Sequence, residues 1–170
     1  MKNYTYVDLF AGAGGLSLGF GNAGFELEFA NDIAKEAVDT FRHNLKTTHE
    51  NLNQNRVIHG DIIELYEHLG TSKVENMPLG HITVETDKEI NLRKKAPGIK
   101  DDKDIKAVLA GIDTVDVLAG GPPCQGFSVA GPRQYGIEDS RNELVFQMLR
   151  FSEILRPKVC IIENVPGLAR

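Results

Sequence analysis

Short apolar runs alternate along the chain with longer segments whose apolar residues recur at helical spacing. This alternation is typical of a parallel sheet whose strands are joined by crossover helices. It predicts strands over residues 5–10, 26–30, 56–59, 115–119 and 158–162. It predicts helices over residues 16–23, 34–45, 62–68 and 141–155. The pattern therefore indicates the α/β class, with a doubly wound, mostly parallel sheet.

The helix predicted over 141–155 has the clearest periodicity. Ser140 and Glu143 form a capping box at its start, and Pro157 follows its end. Its predicted buried face consists of Leu144, Val145, Met148, Leu149, Ser152 and Leu155. Cys160, in the next strand, stands between apolar residues, and we expect it to pack in the core.

A polar stretch at about residues 70–111 separates the third and fourth predicted strands. It is too long for an ordinary connection in a compact domain, so we interpret it as an insertion. Residues 81–85 and 90–92 are candidates for a small hairpin within it. The whole of 1–170 is otherwise expected to be one domain.

Unusual residues follow each predicted strand directly. They are Phe10-Ala11-Gly12, Asn31-Asp32, Gly60-Asp61, Gly121-Pro122-Pro123-Cys124 and Glu163-Asn164. In open parallel sheets, ligands bind outside the carboxyl ends of the strands. We therefore expect these groups to converge at one edge of the sheet and form a site.

The glycine cluster from Gly12 to Gly15 allows a tight turn and a close approach of the backbone to a ligand. Ser17 stands where the dinucleotide-binding fingerprint requires Gly or Ala, which disfavours a nicotinamide enzyme. Asp32 is placed to accept hydrogen bonds from ribose hydroxyls, and Asp61 from an exocyclic amine such as that of adenine. Either aspartate can also cap the helix that follows it.

Cys124 and Glu163 are the candidate catalytic residues. Cys124 lies in a loop between prolines and glycines, where a nearby positive group or helix terminus would turn its thiol into a nucleophile. Glu163 ends an apolar strand, so we expect its carboxyl group to be partly desolvated and to act as a general acid.

The composition is that of an ordinary globular domain, with 41% hydrophobic and 25% charged residues among 170. No apolar run approaches the ~20 residues of a membrane span. The two cysteines and five histidines show no disulfide or metal-ligand spacing, so no metal is assigned. These features predict a reducing, cytoplasmic setting. The net charge of −5 is unusual for a complete DNA-binding protein, because phosphate contacts require a basic face.

The motifs resemble those of the cytosine-5 DNA methyltransferases. Residues 8–15 (DLFAGAGG) are similar to the cofactor loop of that family, and residues 121–128 (GPPCQGFS) to its nucleophile motif. Asn31-Asp32-Ile33, Gly60-Asp61-Ile62 and Glu163-Asn164-Val165 resemble its second, third and glutamate motifs. The resemblance implies a Rossmann-like, S-adenosylmethionine-dependent methyltransferase fold, and an enzyme of a restriction-modification system that acts on a cytosine flipped out of double-stranded DNA.

The same resemblance implies a role for each matching position. Cys124 would be the nucleophile that adds to C6 of cytosine, and Glu163 its partner. S-adenosyl-L-methionine would be held by Phe10, Ala11, Gly12, Gly14, Gly15, Leu16, Asp32, Ile33, Asp61, Ile62, Pro123 and Leu144.

The family normally continues with further motifs, two more strands and a target-recognition region. We therefore expect the fold to be incomplete at its C-terminal side, with the fifth strand uncovered. This chain would be a cloned fragment or one half of a split enzyme that needs a complementary chain, and inactive by itself. Two other functions remain open: methylation of cytosine in RNA, which Gly126-Phe127-Ser128 disfavours, and a non-catalytic cofactor-binding module, which Cys124 and Glu163 disfavour.

Overall fold

A computed structural model describes residues 3–48, 54–73, 102–112, 114–123 and 143–163. Its strands are β1 (Thr5–Leu9), β2 (Glu26–Asp32), β3 (Val57–His59), β4 (Val117–Gly120) and β5 (Val159–Ile162). Its helices are α1 (Gly15–Asn22), α2 (Lys35–Thr48), α3 (Ile62–Lys73), α4 (Asp102–Ala110) and α5 (Glu143–Leu155), with a 3-10 turn at Gln54–Arg56.

The five strands form one sheet in the order β3-β2-β1-β4-β5, and every neighbouring pair is parallel. The chain therefore starts at the centre, builds outward to β3, and then crosses to the other side of β1. The strand order reverses between β1 and β4, which is the point where open α/β sheets form their ligand crevice. The predicted α/β fold with a doubly wound parallel sheet is confirmed.

Alternate residues of the central strand supply two separate cores. Tyr6 faces a core shared with α1 and α2, whereas Val7 and Leu9 face a core shared with α3, α4 and α5. This two-sided burial explains why β1 is almost continuously apolar, as is expected of a central parallel strand. It also makes Asp8, the one charged residue in that strand, an exception.

Helix α4 was not predicted from the sequence, which assigned its residues to the polar insertion. Ile105 and Leu109 of α4 are buried, at 6% and 0% exposure, against the core beside α3. Val108 packs against the same core, but the helix has only nine residues, which is shorter than the window over which helical periodicity can be recognised. Helix α3 also extends to Lys73, beyond the predicted end. The candidate hairpin at 81–85 and 90–92 lies outside the described residues.

The predicted buried face of α5 was partly wrong. Met148 and Leu155 are buried as expected, but Leu149 is 50% exposed, and Phe151 and Ile154 take its place in the core. Apolar residues surround this helix on several sides, so periodicity alone could not choose the face that packs. The helix ends at Leu155, and Arg156 then adopts a left-handed conformation with φ of 47° before Pro157.

Strand β5 lies at the edge of the sheet, as predicted, with Val159 50% and Ile161 40% exposed. Cys160 is exposed, so the expectation that it is buried was wrong. The side chain lies on an edge strand and lacks a covering layer. Within the described ranges, no helix is both long and apolar enough to cross a membrane.

Candidate functional site

The glycine-rich loop after β1 turns back sharply over the end of the sheet. Phe10, Gly12 and Gly14 all have positive φ, at 57°, 56° and 87°. The Gly14 amide donates to the Ala11 carbonyl at 3.0 Å, which closes the turn directly before α1. A Cβ atom at Gly14 would lie 2.5 Å from the ring of Phe41, so both the conformation and the packing require glycine there.

Asp32, at the end of β2, fixes this loop in place. Its Oδ2 accepts a hydrogen bond from the Gly12 amide at 2.8 Å, and its Oδ1 accepts one from the Ala34 amide at 2.8 Å. One carboxylate thus joins the loop after β1 to the start of α2. Because Ala34 directly precedes α2, this bond orders the entry to the helix, while helix capping and contact with a ribose stay predictions for Asp32.

Asn31 and Gly60 extend this network to β3. The buried Asn31 amide nitrogen donates to the Ile58 and Gly60 carbonyls at 3.2 and 3.0 Å, and the Gly60 amide donates to the Asp32 carbonyl at 3.1 Å. The Ala11 amide donates to the Asn31 carbonyl at 3.0 Å on the opposite side. The ends of β1, β2 and β3 are therefore held together by hydrogen bonds.

Asp61 caps α3 and is 6% exposed. Its Oδ1 accepts hydrogen bonds from the Ile63 amide at 2.8 Å and the Glu64 amide at 3.1 Å. Ile62 is 5% exposed and packs into the core, so any contact of this residue with a ligand would have to come from its backbone. By contrast, Ile33 is 50% and Leu16 37% exposed, and both are open to an apolar ligand surface.

Strands β4 and β5 bring Glu163 beside the loop that leads to Cys124. Gly120 and Ile162 are paired, and the Glu163 amide donates to the Gly120 carbonyl at 2.9 Å. The Glu163 Oε2 atom would lie 3.2 Å from a Cβ built on Gly121, so the carboxylate lies directly over this glycine. Glu163 is exposed, whereas the sequence predicted partial desolvation. Cys124 itself lies outside the described residues.

Two other predicted cofactor residues lie on this side of the sheet. Pro123 is exposed, after the buried Pro122, and Leu144 is half-buried where it packs against the core from the first turn of α5. The arrangement brings the predicted residues of β1, β2 and β3 together at one edge, and those of β4 and β5 to the same edge. This is the convergence that the strand ends predicted.

Comparison with protein families identifies this arrangement. The family model described as C-5 cytosine-specific DNA methylase matches residues 4–73 and 84–170, which include every predicted motif. The chain belongs to this family. The unmatched residues 74–83 lie within the predicted insertion.

Curated relatives of this methylase chain are type II enzymes. The chain is 36% identical over 168 residues to the type II methyltransferase M.PspPI of Psychrobacter sp. strain TA137, covering 99% of the chain and 29% of that protein. It is 34% identical over 172 residues to the DNA (cytosine-5-)-methyltransferase M.ApeKI of Aeropyrum pernix, covering 99% of the chain and 30% of that protein. The chain thus spans about 30% of the length of these relatives.

A solved structure agrees with this assignment. It is described as a DNA modification methyltransferase encoded within an E. coli prophage, and it matches 99% of this chain and 34% of its own with a TM-score of 0.56 and 28% identity. The likeness supports a methyltransferase fold for the described sheet.

The residues at the strand ends of this family member fit S-adenosylmethionine. Carboxylates such as Asp32 have about four acceptor positions, so the two backbone amides bound by Asp32 leave capacity for ribose hydroxyls. The exposed Ile33 side chain beside it offers an apolar surface for an adenine ring. Among the described residues, no group of three or more histidines, cysteines or acids is placed to hold a metal.

Sequence reasoning missed Asp8 and Ser17. Asp8 is 1% exposed, and its Oδ2 accepts a hydrogen bond from the Ser17 hydroxyl at 2.5 Å. The pKa of Asp8 is raised to about 6, chiefly by burial and to a smaller extent by the Asp32 carboxylate, against the opposing effect of the Ser17 hydrogen bonds. The available signal was a carboxylate inside an apolar strand, because such a group must find a partner when it is buried.

Proposed function

We propose that the enzyme carrying this chain transfers a methyl group from S-adenosylmethionine to C5 of cytosine in double-stranded DNA, as part of a restriction-modification system. The observation that supports this most directly is the position of Glu163 over Gly121, three residues before Cys124. Hydrogen-bonded neighbouring strands thereby bring the acid beside Gly121, at the start of the segment that leads to Cys124. Family membership supports the reaction type.

The chemistry explains why a thiol and an acid are needed together. C5 of cytosine is too electron-poor to accept a methyl group unaided. The Cys124 thiolate adds to C6, and the resulting enamine makes C5 nucleophilic. Glu163 holds the N3 edge of the base and balances the charge that develops there. Because neither face of a stacked base is accessible, the target cytosine must be flipped out of the duplex.

The transfer then requires a methyl donor, a base and release of the Cys124 sulfur. S-adenosylmethionine, when bound, supplies the methyl group that C5 accepts. A base then removes the C5 proton, the electrons of that bond restore the C5–C6 double bond, and the Cys124 sulfur leaves C6. Asp32 would hold the ribose, Asp61 the adenine, and the glycine-rich loop would approach the methionine portion.

The other cysteine does not fit the nucleophile role. Cys160 lies on β5, and although its side chain is exposed, partial desolvation by its neighbours raises the pKa of the thiol, which is the opposite of activation. Substitution of Cys160 is therefore a matched control for substitution of Cys124.

The net charge of −5 supports DNA contacts made largely by residues beyond these 170. They would belong to the same polypeptide or to a complementary chain. Gly126-Phe127-Ser128, after Gln125, favours DNA over RNA as substrate. The chain must therefore be tested within the enzyme that carries it, with both nucleic acids offered.

Trapping with 5-fluorocytosine tests this proposal, because fluorine at C5 prevents the final elimination. We expect a covalent adduct with duplex DNA that persists in Cys160→Ala and disappears in Cys124→Ala. An adduct that forms with RNA and not with DNA would show that the substrate is RNA. If the protein binds S-adenosylmethionine but forms no adduct with either nucleic acid, its function is that of a non-catalytic binding module.

A further inference from the structure

Helix α1 is weak by its own composition. It contains eight residues, of which Gly15, Gly19 and Gly21 are glycines, and its N-cap residue Gly14 makes no side-chain capping bond. Short helices with several glycines are not stable alone, because each glycine loses much backbone entropy when it is ordered. The position of α1, and of the glycine-rich loop before it, must therefore depend on contacts with the rest of the protein.

Strand β1 supplies these contacts through one residue of α1. Ser17 is the buried residue of the helix. The Tyr6 hydroxyl donates to the Ser17 carbonyl at 3.2 Å, and the Ser17 hydroxyl donates to the Asp8 carboxylate at 2.5 Å. The ring of Tyr6 also stacks on Phe20 at 4.9 Å between centroids. The Asp8 carboxylate thus acts on the first turn of α1 as a cap would, with its negative charge near the N-terminus of the helix.

A purely structural role does not explain a carboxylate at this position. Asp8 is almost fully buried, and its Oδ1 has no hydrogen-bond partner among the residues that the structure describes. Replacing a buried polar pair by apolar residues of similar volume is often neutral or stabilising, so an apolar pair would hold α1 at lower cost. What the carboxylate adds is a directed bond that fixes the rotation and height of the first turn.

We propose that Asp8 is a positioning residue, which holds the glycine-rich loop and the first turn of α1 in the shape that receives the cofactor, and that it acts through the Ser17 hydroxyl. The identity of the cofactor rests on the proposed function. The proposal also explains Ser17: the Gly or Ala of a dinucleotide-binding loop at this position would leave Asp8 without its donor.

Hydrogen exchange of the ligand-free protein tests the loop directly. The reporters are the amides of Gly12, Gly14 and Leu18, which bond to Asp32, Ala11 and Gly14. In Asp8→Leu, which keeps the number and branching of the side-chain heavy atoms but removes the acceptor, we expect these amides to exchange about tenfold faster. In Asp8→Asn, which keeps an acceptor, we expect them to stay within about threefold of wild type. Amides of β4 should not change in either variant.

A double-mutant cycle shows whether the effect passes through Ser17. Ser17→Ala removes only a hydroxyl, and it should accelerate the same amides to a similar extent. If the proposal holds, the double variant Asp8→Leu/Ser17→Ala will exchange no faster than either single variant. Multiplication of the two accelerations, or equal acceleration throughout the sheet, would overturn it, as would unchanged exchange in both single variants.

Binding of S-adenosylmethionine, measured calorimetrically, separates this proposal from the proposed function. We expect Asp8→Leu and Ser17→Ala each to weaken binding about tenfold, and Asp8→Asn to weaken it less. If the wild type binds but all three variants bind equally well, Asp8 does not position the cofactor site, and the proposed function is untouched. If the wild type does not bind while the exchange results hold, the cofactor assignment fails and the Asp8–Ser17 link stands.

Discussion

Asp32 and Asn31 tie the ends of β1, β2 and β3 into a network of hydrogen bonds, whereas Glu163 stands exposed at the ends of β4 and β5. The first group, the cofactor half, is preorganised by residues within one stretch of chain. The second group, the catalytic half, rests on the pairing of β4 with β5 and on the backbone bond from Glu163 to Gly120 that extends it. The difference shows that hydrogen bonds can order one half of the proposed site while the acid of the other half is exposed.

If this comparison is correct, substitutions in the catalytic half will change the rate and leave stability alone. In Glu163→Gln, we expect a methylation rate lower by about 10²–10³, or roughly 3–4 kcal/mol, because the charge developing on the base is no longer balanced. The free energy of unfolding should change by less than about 0.5 kcal/mol, since the side chain is exposed. Single-turnover methylation and denaturant unfolding measure the two quantities.

Glu36→Gln, at an exposed position in the first turn of α2, is the matched control and should affect neither quantity. A large loss of stability in Glu163→Gln would show that the Glu163 carboxylate also stabilises the fold of the catalytic half.

The cofactor half, in contrast, should show a pH-dependent stability that comes from Asp8. Its pKa is raised from 3.8 to about 6 in the folded protein, with Asp32 and Tyr6 as its titratable neighbours. The folded state therefore holds the proton more tightly, and the contribution of Asp8 to stability is greatest below pH 4 and is lost as the pH rises through 6. The full loss amounts to roughly 3 kcal/mol, about half of it between pH 5 and 7.5.

Unfolding of wild type and Asp8→Asn between pH 4 and 7.5 measures this effect. We expect the stability of wild type relative to Asp8→Asn to fall with rising pH, because the amide does not titrate. Parallel curves for the two proteins would contradict the raised pKa.

Gly14→Ala tests how tightly the glycine-rich loop is packed. We expect a loss of about 2–3 kcal/mol, because alanine must adopt a φ of 87° and its Cβ would meet the ring of Phe41. Gly15→Ala is the comparison, since a Cβ there meets nothing within 4 Å and the backbone φ is not positive. Thermal unfolding should place Gly15→Ala at or above wild type. Equal losses in the two variants would mean that the loop is loose.

The smallest effect is expected at the end of β3. Asp61→Ala should cost about 1 kcal/mol, because the Ile63 and Glu64 amides lose their cap. Asp61→Asn should retain most of the stability, since its carbonyl oxygen can still accept. If Asp61 also binds the cofactor, both variants will weaken S-adenosylmethionine binding, which a pure cap would not do. Calorimetric titration beside unfolding distinguishes the two roles.

Much of the fold was predictable because strand and helix patterns depend on near neighbours in sequence. Local patterns predicted the five strands and placed Asp32, Asp61 and Glu163 at strand ends. Helix α4 was missed because its nine residues are too few to show a clear helical period within a charged segment.

The sequence by itself determined which chemical groups follow each strand, and hence the family and the proposed reaction, since these depend only on order along the chain. Only the tertiary structure decided which apolar residues are covered: Cys160 and Leu149 look like core residues but are exposed, because burial depends on the layer opposite. It also decided the partner of Asp8, because the bond from Ser17 joins a strand to a helix that lies over it.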